Sequence, residues 1–136
     1  MKLLRGDGPL IRVGHRGAAA LAPENTLEAY RAAWASGLRV LEQDVRVLAD
    51  GTLVVMHDAT VDRTTLGNGE VTAFDVAMFR RLRVRPVAGF PSAMSPPFFA
   101  DVLEEFRGRA VFVPEAKAPG SGAALVDALR EASIPT

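Results

Sequence analysis

The 136-residue chain is long enough for one domain with a sizeable core, and its 49% hydrophobic and 24% charged content excludes wholesale disorder. Sixteen basic residues balance sixteen acidic ones, which argues against a general nucleic-acid binder, and the lack of cysteine excludes disulfides and zinc–thiolate sites. The opening MKLLRGDGPLIRVG lacks the apolar stretch of a secretory leader, and no apolar run approaches the ~18 residues of a membrane span, so a soluble cytoplasmic protein is expected.

Taken in order, Leu10-Ile11-Arg12-Val13 reads as a first strand leading into Gly14-His15. Pro23 to Glu28 follows as a helix start, with Asn25 as N-cap and Glu28 three residues on, a capping-box pattern that needs no function to explain it. Leu27, Tyr30 and Trp34 give that helix an apolar face, and Ser36-Gly37 closes it. A second strand over Leu38 to Val47 completes a strand–helix–strand unit. Side chains alternate along a strand, so Glu42 and Asp44 share one face with Val40 behind them. Asp50-Gly51 is a two-residue turn signal, and pairing outward from it sets Asp44 opposite His57, at the end of Leu53-Val54-Val55-Met56. The alternative is that Val45 to Thr52, with a reach of roughly 25 Å, carries the chain back so that the His57 strand lies parallel to its neighbours.

Beyond His57, HDATVDRTTLGNGE is a polar loop. Thr72 to Asp75 can cap a helix reaching about Leu82, with Val76, Phe79 and Leu82 inward. Arg83 to Pro97, holding Pro86, Pro91, Pro96 and Pro97, is a loop or lid. Phe99, Val102, Leu103 and Phe106 fall at helical spacing, and Gly108 ends that helix. A fourth strand, Ala110 to Lys117, puts Val111, Val113, Glu115 and Lys117 on one face; Pro114, which lacks a donor, makes it irregular or an edge. Pro119-Gly120 turns into a last helix from about Ser121 to Ser133, with Leu125, Ala128, Leu129 and Ala132 inward.

Chemistry-bearing residues gather at strand C-terminal ends: His15 with Arg16, Glu42 with Asp44, His57, and Glu115 with Lys117. Parallel α/β architectures build their sites on that edge. Three carboxylates without thiolates suit a hard cation, magnesium or calcium. A divalent ion beside Arg16 and Lys117 makes a phosphate clamp, and two histidines can then trade a proton. Each element alone has a plainer reading. A lone histidine at a strand end is more often structural, Glu-x-Asp on a strand is usually a solvated face, and Glu115 with Lys117 is as often a simple salt pair. The combination is what points to a site.

The series HRG, PENT, E-x-D-V, DG, VV-x-HD, R-TT-x-G-x-G and E-x-K, in this order, resembles the glycerophosphodiester phosphodiesterase family over essentially the whole chain. The resemblance implies a (β/α)8 barrel that hydrolyses glycerophosphodiesters to an alcohol and glycerol 3-phosphate with a divalent cation, Mg2+ or Ca2+. Carried over residue by residue, it implies His15 and His57 as the acid–base pair. It likewise implies Glu42, Asp44 and Glu115 as metal ligands, and Arg16 and Lys117 as phosphate contacts. The chain departs from the family pattern at Ala49, where Thr is usual, and at Pro97-Phe98-Phe99-Ala100, where Pro-Thr-Leu-Glu is usual. Pro114 stands where an ordinary strand residue is expected. Together these departures bear on the placement of Glu115.

Such a barrel takes ~250 residues and at least ~200. Four strands ending at Lys117 make this chain an α/β half-barrel of TIM-barrel type, (β/α)4, equivalent to the first half of a (β/α)8 barrel. Residues 1–136 then form a single domain cut after the fourth β/α unit. A half-barrel exposes open strand edges and an interior carrying Val40, Val111 and Val113, so either a homo-oligomer closed by two-fold symmetry or a missing C-terminal half is expected as partner. A fragment, a degenerate gene product and half of a symmetric pair all stay open. Two other readings compete with hydrolysis: a half-barrel that binds metal or phosphoester without turnover, and a phospholipase-type lyase releasing a cyclic phosphate. His57 is favoured as base and His15 as acid; the alcohol of the substrate is not legible.

Overall fold

The computed structural model describes residues 10–90 and 93–134. Within them the chain runs β1 (Val13–Gly14), α1 (Leu27–Ala35), β2 (Val40–Val47), β3 (Leu53–Val55), a single 3-10 turn at Val71–Ala73, α2 (Val76–Arg81), α3 (Phe99–Phe106), β4 (Val111–Ala116) and α4 (Ser121–Glu131). The opening segment through residue 9, and Pro91 of the proline-rich loop, lie outside the described residues.

The long strand β2 carries the sheet. β1 and β4 pair parallel to it on opposite edges, since Val13 and Val111 both partner Val40. β3 pairs antiparallel to its far end on the β1 side, with Val45 shared between Val55 and Ala116. The His57 strand is therefore a hairpin arm, and the parallel alternative is excluded. Three of the four strands are parallel, so the expected two-fold closure would bring six parallel strands together, short of the eight in a full barrel.

The hairpin register differs by one residue from the expectation. Val47 pairs Leu53 and the Met56 N–H donates to the Asp44 carbonyl at 2.8 Å, so Met56, not His57, stands opposite Asp44. The turn explains the difference. It has three residues, Ala49-Asp50-Gly51, closed by Leu48 N–H to the Thr52 carbonyl at 2.9 Å, with Gly51 left-handed at φ +87°. A one-residue slip exchanges the faces of a strand, so His57 is not beside Asp44 in the ladder.

β1 is also shorter than the apolar run that precedes His15, because Leu10 and Ile11 are exposed rather than paired. β4, by contrast, is unbroken through Pro114. Val111 N–H donates to the Arg39 carbonyl at 2.8 Å and Lys117 N–H to the Val45 carbonyl at 2.9 Å. Odd-numbered residues thus face β2, and the donor that Pro114 lacks would point to the free edge.

α1 is capped by Thr26, not Asn25. The Thr26 hydroxyl accepts from Ala29 N–H at 3.1 Å and donates to the Pro23 carbonyl at 2.6 Å. Asn25 is left-handed at φ +56°, whereas an N-cap is extended, as Thr26 is. Leu41 and Val45, on the buried face of β2, meet Tyr30 and Ala33 of α1, Phe99, Val102, Leu103 and Phe106 of α3, and Leu125 and Leu129 of α4. A second cluster, including Val54, Met56, Val61, Phe74, Phe79 and Leu82, packs the segment between β3 and α3. There α2 forms as expected, with the Asp75 carboxylate capping Met78 N–H at 2.7 Å. At roughly 1.5–3 kcal/mol per buried large side chain, these two clusters hold the site's elements in place.

Candidate active site

Partnered residues of parallel strands share a face, and the face of β2 away from the helices carries Glu42 and Asp44. Val13, Val40 and Val111 form one row, Glu42 and Val113 the next, Asp44 and Glu115 the third. Carboxylate oxygens of Glu42, Asp44 and Glu115 all lie within 4.8 Å of one another. The regular pairing of β4 therefore delivers Glu115 to the cluster despite Pro114.

Asp44 is only 1% exposed, and a buried carboxylate needs partners. It has three. Arg16 Nε lies 3.2 Å from Oδ2, Lys117 Nζ lies 3.2 Å from Oδ1, and the Asn25 amide donates to Oδ2 at 2.8 Å. Lys117 also pairs with Glu115 at 2.8 Å, and that bond first, then Asp44, raises its ammonium above the ordinary lysine range. Arg16 takes a left-handed backbone at φ +53°, uncommon for a residue with a side chain. Its backbone N–H donates to Glu42 Oε2 at 2.7 Å, while its side chain reaches Asp44 and Glu24. Gly17 follows at φ +83°, and a Cβ there would stand 2.7 Å from the backbone of Ala29, so glycine lets this loop lie against α1.

Asn25 is a second support. Its Nδ2 holds Asp44 and its Oδ1 accepts from the Tyr30 hydroxyl at 2.9 Å. Burial first, then the charges of Glu42 and Asp44, push the Tyr30 phenol well above its ordinary pKa, so it stays a donor. The residue expected to cap a helix instead fixes the central carboxylate.

The two histidines occupy different settings. His15 is exposed, next to Arg16 in the loop after β1. His57 lies two residues past the end of β3 and is partly buried. Its Nδ1 lies 2.7 Å from Asp58 Oδ1, and Arg46 pins its carbonyl with two bonds of 2.9 and 2.7 Å. Arg63 grips Asp58 at 2.7 Å and Glu24 at 2.7 Å, and Glu24 meets Arg16 at 3.0 Å. The bond from Arg63 first, then that from His57, holds the Asp58 carboxyl far below the usual range, and Arg63 likewise lowers Glu24. A cavity of about 440 Å³ opens beside His57, lined by Ala22, Glu24, Met56, Arg63 and Val87 among others. Glu24, Asn25, Arg46, Asp58 and Arg63 had no site role in the sequence reading. For all but Arg46 the signal lies in the PENT, HD and R-TT motifs, which capping and loop formation also explain.

The model of the glycerophosphoryl diester phosphodiesterase family matches residues 15–118, from His15 through the end of the β4 site residues. The chain belongs to this family. It is 42% identical over 82 residues to glycerophosphodiester phosphodiesterase 1 of Bos taurus, covering 60% of this chain and 25% of that protein. It is 32% identical over 119 residues to the glycerophosphodiester phosphodiesterase of Bacillus subtilis, covering 81% of this chain and 41% of that one. Among solved structures, the Agrobacterium tumefaciens enzyme superposes with a TM-score of 0.84 at 36% identity, over 90% of this chain and 53% of that one. An Oleispira antarctica phosphodiesterase, solved in complex with the product sn-glycerol-3-phosphate, superposes at 0.82 with 27% identity, over 91% and 53%. The chain spans about half the length of these solved relatives, and less of the curated ones. Its mixed sheet and helices are half of the TIM-barrel fold of the family. No helix among the described residues is long and apolar enough to cross a membrane.

The cluster fits a hard divalent cation. All three donors are carboxylates, no thiolate is available, and the buried one already draws two cationic side chains.

Proposed function

We propose that this chain carries the site of a metal-dependent phosphodiesterase that hydrolyses glycerophosphodiesters to an alcohol and glycerol 3-phosphate. The observation that supports it most is the convergence of Glu42, Asp44 and Glu115 within 4.8 Å, flanked by Arg16 and Lys117. Those three carboxylates would hold Mg2+ or Ca2+, which when bound polarises phosphoryl oxygens. Arg16 and Lys117, the cations nearest the cluster, bind the non-bridging phosphate oxygens. His57, with its Nδ1–H on Asp58, offers Nε2 as the base for the attacking hydroxyl, either water or the glycerol hydroxyl of the substrate. His15 protonates the departing alcohol oxygen as its bond to phosphorus breaks.

The assay is purified protein with glycerophosphocholine and Mg2+ or Ca2+, the products followed by phosphorus NMR. Glycerol 3-phosphate is expected; a cyclic phosphate as end product would point instead to lyase chemistry. Equal rates for wild type and His57→Ala would sink the reading. Because the chain spans about half of its solved relatives, a second reading keeps the site and drops turnover. Cation binding by calorimetry with no product, on well-folded protein, would favour it.

Association belongs with this proposal. Val13, Val111 and Val113 are 45%, 60% and 45% exposed on the face that carries the cluster, and the outer edge of β4 has no partner among the described residues. We infer that this face is a docking surface, covered either by a second copy or by a C-terminal half such as the solved relatives carry. Sedimentation at micromolar concentration should show a dimer or larger species; a compact monomer with cooperative unfolding would count against it.

A further inference from the structure

Two residues of the family motifs, Glu24 of PENT and Arg63 of R-TT, have no part in the chemistry above, and Asp58 of HD enters it only as the partner of His57 Nδ1. Exposed ion pairs usually contribute little, and a solvated origin is the plain explanation to beat. The geometry is not that of a loose pair. Arg63 Nε and Nη2 donate to the two oxygens of Asp58 at 2.7 and 3.1 Å, while Nη1 and Nη2 donate to the two oxygens of Glu24 at 3.0 and 2.7 Å. One planar guanidinium thus engages two carboxylates, each through both oxygens, a geometry no lysine can copy.

What the two carboxylates do next gives the clamp its meaning. Asp58 Oδ1, gripped by Arg63, is also the oxygen 2.7 Å from His57 Nδ1. Asp58 is ionised and acts only as acceptor, so the imidazole nitrogen facing it, Nδ1, is the one that carries a proton. Arg46 fixes the carbonyl of the same residue, so His57 is held at both backbone and ring. Glu24, on the other side of Arg63, holds Arg16 Nη1 at 3.0 Å, and Arg16 reaches Asp44. An unbroken run of contacts therefore joins His57 to the carboxylate cluster through loops that share no strand pairing.

We propose that Arg63 is a positioning residue for the phosphodiesterase site: it locks Asp58 onto His57 Nδ1, leaving Nε2 as the free base, and through Glu24 it holds Arg16 at the carboxylate cluster. How the imidazole is held does not depend on turnover; only its use in the reaction rests on the function proposed above.

The test reads the tautomer directly, by nitrogen-15 NMR of the histidines in the whole chain, with thermal unfolding as a check on folding. Wild-type His57 is expected as the Nδ1–H form. Arg63→Gln and Arg63→Lys should both shift it to a tautomer mixture, because a lysine keeps the charge but cannot bridge the two carboxylates. Should Arg63→Gln fail to fold, Arg63→Lys decides alone. A wild-type tautomer in Arg63→Lys would overturn the clamp. In turnover of glycerophosphocholine, kcat should fall roughly 10- to 100-fold, the range for losing a group that orients a histidine from behind, while KM moves less. Wild type without turnover, but with the tautomer response intact, would sink the phosphodiesterase reading and leave the clamp standing.

Discussion

The carboxylate cluster and the histidine network are built by opposite means. Glu42, Asp44 and Glu115 sit on neighbouring parallel strands, and backbone register places them on one face in adjacent rows. Even a proline directly before Glu115 leaves that register intact, because its missing donor faces the free edge. His57, Asp58, Arg63 and Glu24 sit on loops, and side-chain ion pairs bring them together. The cluster therefore holds a buried charge on a sheet, while the network is partly exposed to solvent. Each should fail in its own way.

The largest effect is expected at the buried charge. Asp44→Ala leaves Arg16, Lys117 and the Asn25 amide without their shared acceptor and should cost about 3 kcal/mol in urea unfolding, the low end for breaking a buried pair. Calorimetry on the same variant should show loss of divalent-cation binding. Next comes Asn25→Ala, which strips a bond from both Asp44 and Tyr30 and should cost about 2 kcal/mol. Thr26→Ala, removing the actual helix cap, should cost less, about 1 kcal/mol. If the order of those two were reversed, the support role of Asn25 would be wrong.

The network should respond more weakly and with a pH signature. Arg63 is about half exposed, so solvent screening limits Arg63→Gln to on the order of 1 kcal/mol at neutral pH. Asp58 and Glu24 have folded-state pKa values below their unfolded ones. Their contribution is present in full above the unfolded carboxyl range and is lost as pH falls through the depressed folded values. The stability gap between wild type and Arg63→Gln should thus be widest at neutral pH and should close as pH drops below ~4. A gap independent of pH would show that the ion pairs do not stabilise the fold. The smallest effect is expected for Pro114→Val, within about 0.5 kcal/mol, since no hydrogen bond to β2 is gained or lost.

How much of this was legible follows the same division. The helices at α2, α3 and α4 and the inward faces of β2 and β4 could be read because their periods are local properties of the chain. Asn25 was misread because a short polar residue before a helix fits a cap equally well, and only its left-handed backbone turns it towards Asp44. The hairpin register was misread because Asp-Gly closes two-residue and three-residue turns alike, and one residue more exchanges the faces. The order of motifs determined the family and the half-barrel class, and it pointed to the three carboxylates and two cations that the strand ends bring together. Only the tertiary structure decided that the His57 strand runs antiparallel, and which arginine meets which carboxylate. Strand alternation is written in a period of two, whereas an ion pair between loops 39 residues apart, such as Arg63 with Glu24, depends on where the two packed clusters set those loops down.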